Sequence, residues 1–241
     1  MERIMNMQAI KAIAYKEKIS VKKSIKSLLI INVVFICILL ATSIKKSSGF
    51  LDEGVTDVSN LLVGSTGYVS IFLSFVTFIS TLKFWQEKSM DAIDSLFSLP
   101  VSIRKILVGK VAFSMLIGVI GFAVAFITSI IVYAVKFKVF AFSPVAALLM
   151  LAISLLLNFS YGIINGFCMW QLSVGKAKII QGLTYVIFLG GIIGLNGCIT
   201  ADGINMNVVY ALIAAVILLA AGAVYSLILA NKEKIILNHI E

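Results

Sequence analysis

Six stretches of this chain run for 18 residues or more without a charged side chain: Ser27 to Ile44, Asn60 to Leu82, Val111 to Val135, Val139 to Gly175, Ile179 to Ala201 and Gly203 to Asn231. A helix needs about 20 apolar residues to cross the hydrocarbon of a bilayer, whereas a buried strand needs far fewer. With 61% of residues hydrophobic and 13% charged, against roughly 45–50% and about 25% in soluble domains, too little polar sequence is left to cover a water-soluble core. Backbone groups in lipid must be satisfied within their own segment, and the runs lack the polar alternation of barrel strands. The expected fold class is therefore all-α, a polytopic membrane protein with six transmembrane helices.

The chain reads as one six-helix transmembrane domain over residues 1–241, with spans at about 27–44, 60–82, 108–135, 144–172, 179–198 and 208–230. Pro144 marks the start of the fourth span, because proline is accommodated at the first helical position. Residues 1–26 form a basic cytoplasmic segment, weakly amphipathic through Met7, Ile10 and Ala14, with Glu17 interrupting the stripe. Ala41-Thr42-Ser43 resembles a signal-peptide cleavage site, but the basic region before it is long for a signal peptide. The first run is read as an uncleaved span.

Orientation follows from the basic residues. Seven lie before the first span, and Lys83, Lys88, Arg104, Lys105 and Lys110 lie between the second and third. Lys176, Lys178, Lys232 and Lys234 fall on the same side, whereas the opposite loops hold only Lys45, Lys46, Lys136 and Lys138. This asymmetry places both termini in the cytoplasm and the protein in the cell membrane as a multi-pass chain. The net charge of +9 belongs to those cytoplasmic ends and to anionic lipid, so nucleic acid is not an expected partner.

Catalytic chemistry is absent from the pattern. There is no HExxH or GxSxG motif, and neither Gly109-Lys110 nor Gly175-Lys176 has the preceding glycine that a P-loop requires. Cys37, Cys168 and Cys198 show no paired spacing and read as small hydrophobes. The only histidine, His239, lies in the charged tail without a second ligand nearby. No catalytic, cofactor-binding or metal-binding residue is expected in this chain, which is read as a non-enzyme. The spans also show no buried charge of the kind an ion-coupled carrier uses.

The informative stretch is the second cytoplasmic loop, FWQEKSMDAIDSLFSLPVSIRKILVGK over Phe84 to Lys110. On a helix, Met90, Ile93 and Phe97 share one face, while Glu87, Asp91 and Asp94 share another. Pro100 ends this helix, and Ser102 is placed to cap the next one, which enters the membrane through Ile106 and Leu107. A helix lying on the lipid surface is one reading. Against it, anionic head groups disfavour an acidic face, and carboxylates four residues apart repel until a cation approaches. A basic protein partner meets both conditions.

Glu87-Lys88, then Asp94-Ser95-Leu96, Leu99-Pro100-Val101-Ser102, Ile106-Leu107 and Gly109-Lys110, all just after the second of six spans, resemble the transmembrane subunit of an ABC-2 type ABC transporter. Ser89-Met90 stands where members of that family often have a Gly-Thr pair. The resemblance implies that residues 84–99 form the cytoplasmic coupling helix, with Glu87, Met90, Asp91, Ile93, Asp94, Phe97 and Pro100 contacting the ATPase. It also implies two separate ABC ATPase subunits that hold ATP and magnesium, and a second permease subunit, either another copy or a paralogue.

Two stripes of small residues stand out within the spans. Ser70, Ser74, Thr77 and Thr81 line one face of the second span, and the fifth holds Gly190, Gly191, Gly194 and Gly197. Hydroxyls and glycines at such spacing permit close helix packing. Under the resemblance, Ser70, Ser74, Thr77, Thr81, Gly190 and Gly194 become candidates for the pathway or the subunit interface. Asn158, Tyr161 and Asn165 form a further stripe in the fourth span, read as interhelical hydrogen bonding. The expected function is the permease of an ATP-driven exporter for a hydrophobic or amphipathic substrate: a peptide toxin, an antimicrobial, a lipid or a drug. The alternatives are a membrane immunity or binding protein, or a secondary carrier without an ATPase.

Overall fold

The computed structural model describes Cys37, Ala41, Phe84, Glu87, residues 101–137, 144–172, 174–197, 199–200, 203–204 and 206–231, and Glu233. Among these residues the architecture is helical: α1 spans Ile103–Phe137, α2 Pro144–Gln171, α3 Val174–Gly197 and α4 Met206–Leu229. Each is long and apolar enough to cross a membrane. A two-residue antiparallel pair, β1 (Ile199–Thr200) with β2 (Gly203–Ile204), joins α3 to α4 in the register Ile199 to Ile204 and Thr200 to Gly203. It occupies the segment between the last two expected spans. The first two expected spans lie outside the described residues.

Helix boundaries follow from local chemistry. The Ser102 carbonyl accepts from the Lys105 and Ile106 amides at 3.0 and 3.2 Å, so the first turn of α1 closes directly behind Pro100-Val101. The helix thus begins right after Ser102, where the sequence places its cap, five residues ahead of the expected start of the span at about residue 108. At 35 residues and 1.5 Å rise it is about 52 Å long, so part of it projects beyond a hydrocarbon core of about 30 Å. Helix α2 begins at Pro144.

Helix α2 packs against α1, α3 and α4 and forms the centre of the bundle. Its apolar window is 56% buried, against 21–22% in each of the other three. Lipid supplies little hydrophobic drive between helices, so the central position goes to the helix whose small and polar side chains allow close approach. Glycines on three helices make room for large neighbours, Gly166 on α2, Gly191 on α3 and Gly222 on α4, the last two facing side chains of α2. A Cβ on Gly166 would lie 2.9 Å from Leu107 and 3.1 Å from Phe84, one on Gly191 would lie 3.1 Å from Leu157, and one on Gly222 would lie 3.1 Å from Ile164. The outward faces are apolar stripes, such as Leu116, Ile120, Val124, Ile127, Ile131 and Val135 on α1, spaced as one helical face. Such a face fits lipid.

Candidate functional site

The start of α1 and the ends of α2 and α4 meet at one end of the bundle, and polar side chains tie them together there. Along α1, Ile103, Ile106, Leu107, Lys110 and Val111 form one buried face, so a lysine occupies a position that the helical period assigns to the core. Lys110 is only 6% exposed, and its Nζ lies 2.5 Å from Glu87 Oε1. It also sits 5.8 Å from the centroid of the Phe84 ring. Phe84 in turn meets Trp170 of α2 edge-on at 5.0 Å, and Trp170 Nε1 donates to the Phe84 carbonyl at 3.3 Å. Gly166, one turn before Trp170, leaves the space that the Phe84 ring fills.

Phe84 and Glu87, three residues apart and both helical, are therefore seated on the bundle by an aromatic clamp and an ion pair. Glu87 Oε2 is buried and has no hydrogen-bond partner among the described residues. Desolvating both charges offsets most of the attraction in such a pair, so geometry and not net energy is its main contribution.

A second set of ties closes the C-terminal end of α4, whose last carbonyls have no partner within the helix. Arg104 donates to the Ile228 carbonyl at 2.9 Å, and Gln171 Nε2 donates to the Leu229 carbonyl at 2.9 Å. Gln171 Oε1 accepts from the Asn231 amide at 3.1 Å. A cation and an amide thus serve as the cap, in keeping with the negative end of the helix dipole. Lys176 and Lys178, at the start of α3, are exposed at this same end.

Several sequence expectations change on this geometry. Lys110 ends the second loop in the sequence reading, at the edge of a span expected to hold no buried charge; it lies inside α1, buried against Glu87. Glu87 was expected on the acidic face offered to a partner, and its described partner is within the chain. The Asn158 and Asn165 amides donate to the Ser154 and Tyr161 carbonyls of α2 itself, at 2.7 and 3.0 Å, where bonds between helices were expected. Backbone carbonyls one turn earlier are the nearest acceptors for a short amide on a crowded face. Tyr161 instead reaches α3 through its ring, stacked on Phe188 at 4.3 Å.

The glycine pair of the fifth span is divided. A Cβ on Gly194 would meet Leu212 of α4 at 3.7 Å, whereas one on Gly190 would meet nothing within 4 Å. The face of α3 turned into the bundle carries Gly191 and Gly194, and Gly190 is exposed. Met90, Asp91, Ile93, Asp94, Phe97, Pro100, Ser70, Ser74, Thr77 and Thr81 lie outside the described residues. Sequence reasoning did not single out Phe84, Arg104, Trp170 or Gln171. One signal for the ion pair was available: a lone lysine in the apolar period of a span has to find a carboxylate nearby.

No family model matches the chain, and neither a curated protein nor a solved structure matches it.

Proposed function

We propose that the chain is the transmembrane permease subunit of an ATP-driven ABC exporter, with six spans and both termini in the cytoplasm. Two ATPase subunits hold ATP and magnesium, and a second permease subunit completes the path for a hydrophobic or amphipathic substrate. The observation that supports this reading most directly is the seat of Phe84 and Glu87 on α1 and α2. A loop helix can convey a partner's movement to the spans only if its entry is held firmly to them, and here that entry is clamped beside two helix ends. The clamp lies about 10 Å along α1 from its start, by the position of Lys110 and the helical rise. Carrier ion sites lie near the bilayer midplane, so this depth fits a coupling element better than an ion site.

The same end of the bundle carries Arg104, Lys105, Lys110, Lys176 and Lys178, a grouping in keeping with a cytoplasmic face. Cysteines introduced at Ser48 and Asp202 should react with an impermeant thiol reagent in intact cells, and one at Ser89 should not. Labelling at Ser89 alone would reverse the orientation.

The partner is tested on the loop helix. Phe97→Ala should weaken copurification of the ATPase, since truncating a buried aromatic anchor costs about 2 kcal/mol or more. Asp91→Lys with Asp94→Lys should lower substrate-stimulated ATP hydrolysis, most clearly at low salt, because rim charges act on rate more than on affinity. For a helix resting on lipid, the added lysines would instead tighten membrane binding and leave any ATPase untouched. If neither variant changes copurification or hydrolysis, the coupling reading fails.

A further inference from the structure

We propose that the hydroxyl stripe of the second expected span, Ser70, Ser74, Thr77 and Thr81, packs on the polar stripe of α2 as one hydrogen-bonded seam within the chain. The proposal rests on the six-span part of the reading above and needs no ATPase. Its first support is a covered face that lacks a donor. Ser154 and Asn158 are 0% exposed and Asn165 is 4% exposed, on the face they share with Tyr161. The Asn158 amide donates to the Ser154 carbonyl, but its Oδ1 is buried and accepts nothing among the described residues. An amide oxygen without a donor is costly inside a membrane, so this face calls for a neighbour that carries O–H or N–H groups. Neither flanking helix supplies one. Tyr161, at one edge of the stripe, stacks on Phe188 of α3, and α1 meets α2 through Leu107 at Gly166 and Phe122 at Leu151. Helices α1 and α3 have no comparable packing on each other, which leaves the sector between them for a further helix. Gly162, buried between Asn158 and Asn165, lets such a helix come close.

The seat of Phe84 sets the depth of the occupant. Phe84, two residues past the second span, is helical and lies against Gly166 and Trp170, so it stands level with residue 168, midway between them. The second and fourth crossings of an alternating chain run in the same direction, so equal steps back from these two points stay level. Steps of 3, 7, 10 and 14 residues lead to Thr81, Thr77, Ser74 and Ser70 on one helix and to Asn165, Tyr161, Asn158 and Ser154 on the other. The two stripes thus share one spacing and one depth. Ser74 falls opposite Asn158, where its hydroxyl can donate to the unpartnered Oδ1. The first run offers Asn32 and Thr42, ten residues apart, and no such series. The hydroxyl stripe then belongs to the fold of one subunit, and a path or a subunit interface has to use other faces, the exposed Gly190 side of α3 among them.

The test is cysteine cross-linking of the full chain in its membrane, with Cys37, Cys168 and Cys198 replaced by alanine. Under mild oxidation, Ser74→Cys with Asn158→Cys, and Thr81→Cys with Asn165→Cys, should each form a disulfide inside one chain, since level positions on close-packed helices bring Cα atoms within about 7 Å. The control pair Val76→Cys with Asn158→Cys puts one thiol on the far side of the second span and should react at least about tenfold more slowly. A double-mutant cycle in micelles reads the native side chains: Ser74→Ala and Asn158→Ala should be coupled by about threefold in the unfolding equilibrium, the usual size between transmembrane helices. Absent disulfides in both pairs, a control as fast as they are, or zero coupling overturns the seam. Disulfides formed only between two chains overturn it as well and place the stripe at a subunit interface. Cysteines at Ser48 and Ser89 labelled from opposite sides of the same membranes show that the second run crosses, so absent disulfides then count against the seam alone. Labelling of both from one side overturns the six-span reading and the seam together.

Discussion

Trp170→Ala should lower the unfolding free energy by about 3–5 kcal/mol, the cost of truncating a buried large aromatic. The indole is 1% exposed, meets Phe84 at 5.0 Å and donates to the Phe84 carbonyl. Between helices in lipid, little of this comes from keeping apolar surface out of water. The loss falls on dispersion contacts and on a carbonyl left without its donor. Trp170→Phe keeps a ring for Phe84 but removes the donor and part of the indole's volume, so it should cost about 1–3 kcal/mol. Unfolding in mixed micelles followed by circular dichroism should therefore rank wild type, Trp170→Phe and Trp170→Ala in falling stability. If Trp170→Ala matches wild type, the indole does not anchor the loop entry. Because the same ring seats Phe84, Trp170→Ala should also raise amide exchange at Phe84 and Glu87.

The second large effect is expected from glycines on two faces. Gly166→Leu places a branched side chain where even a Cβ would lie 2.9 Å from Leu107 and 3.1 Å from Phe84, both buried. Overpacking of this kind should cost about 3 kcal/mol, at the top of the usual range. At Gly191 a Cβ would already lie 3.1 Å from Leu157, so Gly191→Leu should behave alike. A Cβ on Gly190 would meet nothing within 4 Å and the position is exposed, so Gly190→Leu should leave the stability of the isolated chain within about 0.5 kcal/mol of wild type. The measurement is again unfolding in micelles, paired with the oligomeric state in nanodiscs. A stable Gly190→Leu chain that no longer associates with a second permease would place Gly190 at the subunit interface. Destabilisation of the Gly190 variant equal to that of Gly191 would contradict the division of the two faces.

Which features were legible in the sequence follows from which forces act locally. Membrane insertion responds to the sum of side-chain transfer energies along about 20 residues, a property of contiguous sequence. Four runs of that kind are helices long enough to cross a bilayer in the structure. Pro144 and Ser102 act on the turns that contain them, so the start of α2 and the first turn of α1 could be read from those residues and their neighbours.

The seat of the second loop was not legible, because it depends on residues far apart in the chain. Glu87 and Lys110 are 23 residues apart, and Phe84 and Trp170 are 86 apart. By charge alone Lys110 belongs with the other basic residues of a cytoplasmic loop, and by helical period it belongs to the core. Only the arrival of Glu87 beside α1 decides between them. The glycines of α3 show the same division: Gly190-x-x-x-Gly194 is a packing pattern in any transmembrane sequence, yet the bundle uses Gly191 and Gly194. A one-residue change in which glycine faces a neighbour is about 100° of rotation about the helix axis. Helix rotation in lipid is set by what the other helices present, since the apolar surroundings favour no face. The sequence by itself therefore determined that these segments are helical and long enough to span. The tertiary structure decided which of their side chains meet, because in a bilayer that choice rests on packing and paired polar groups.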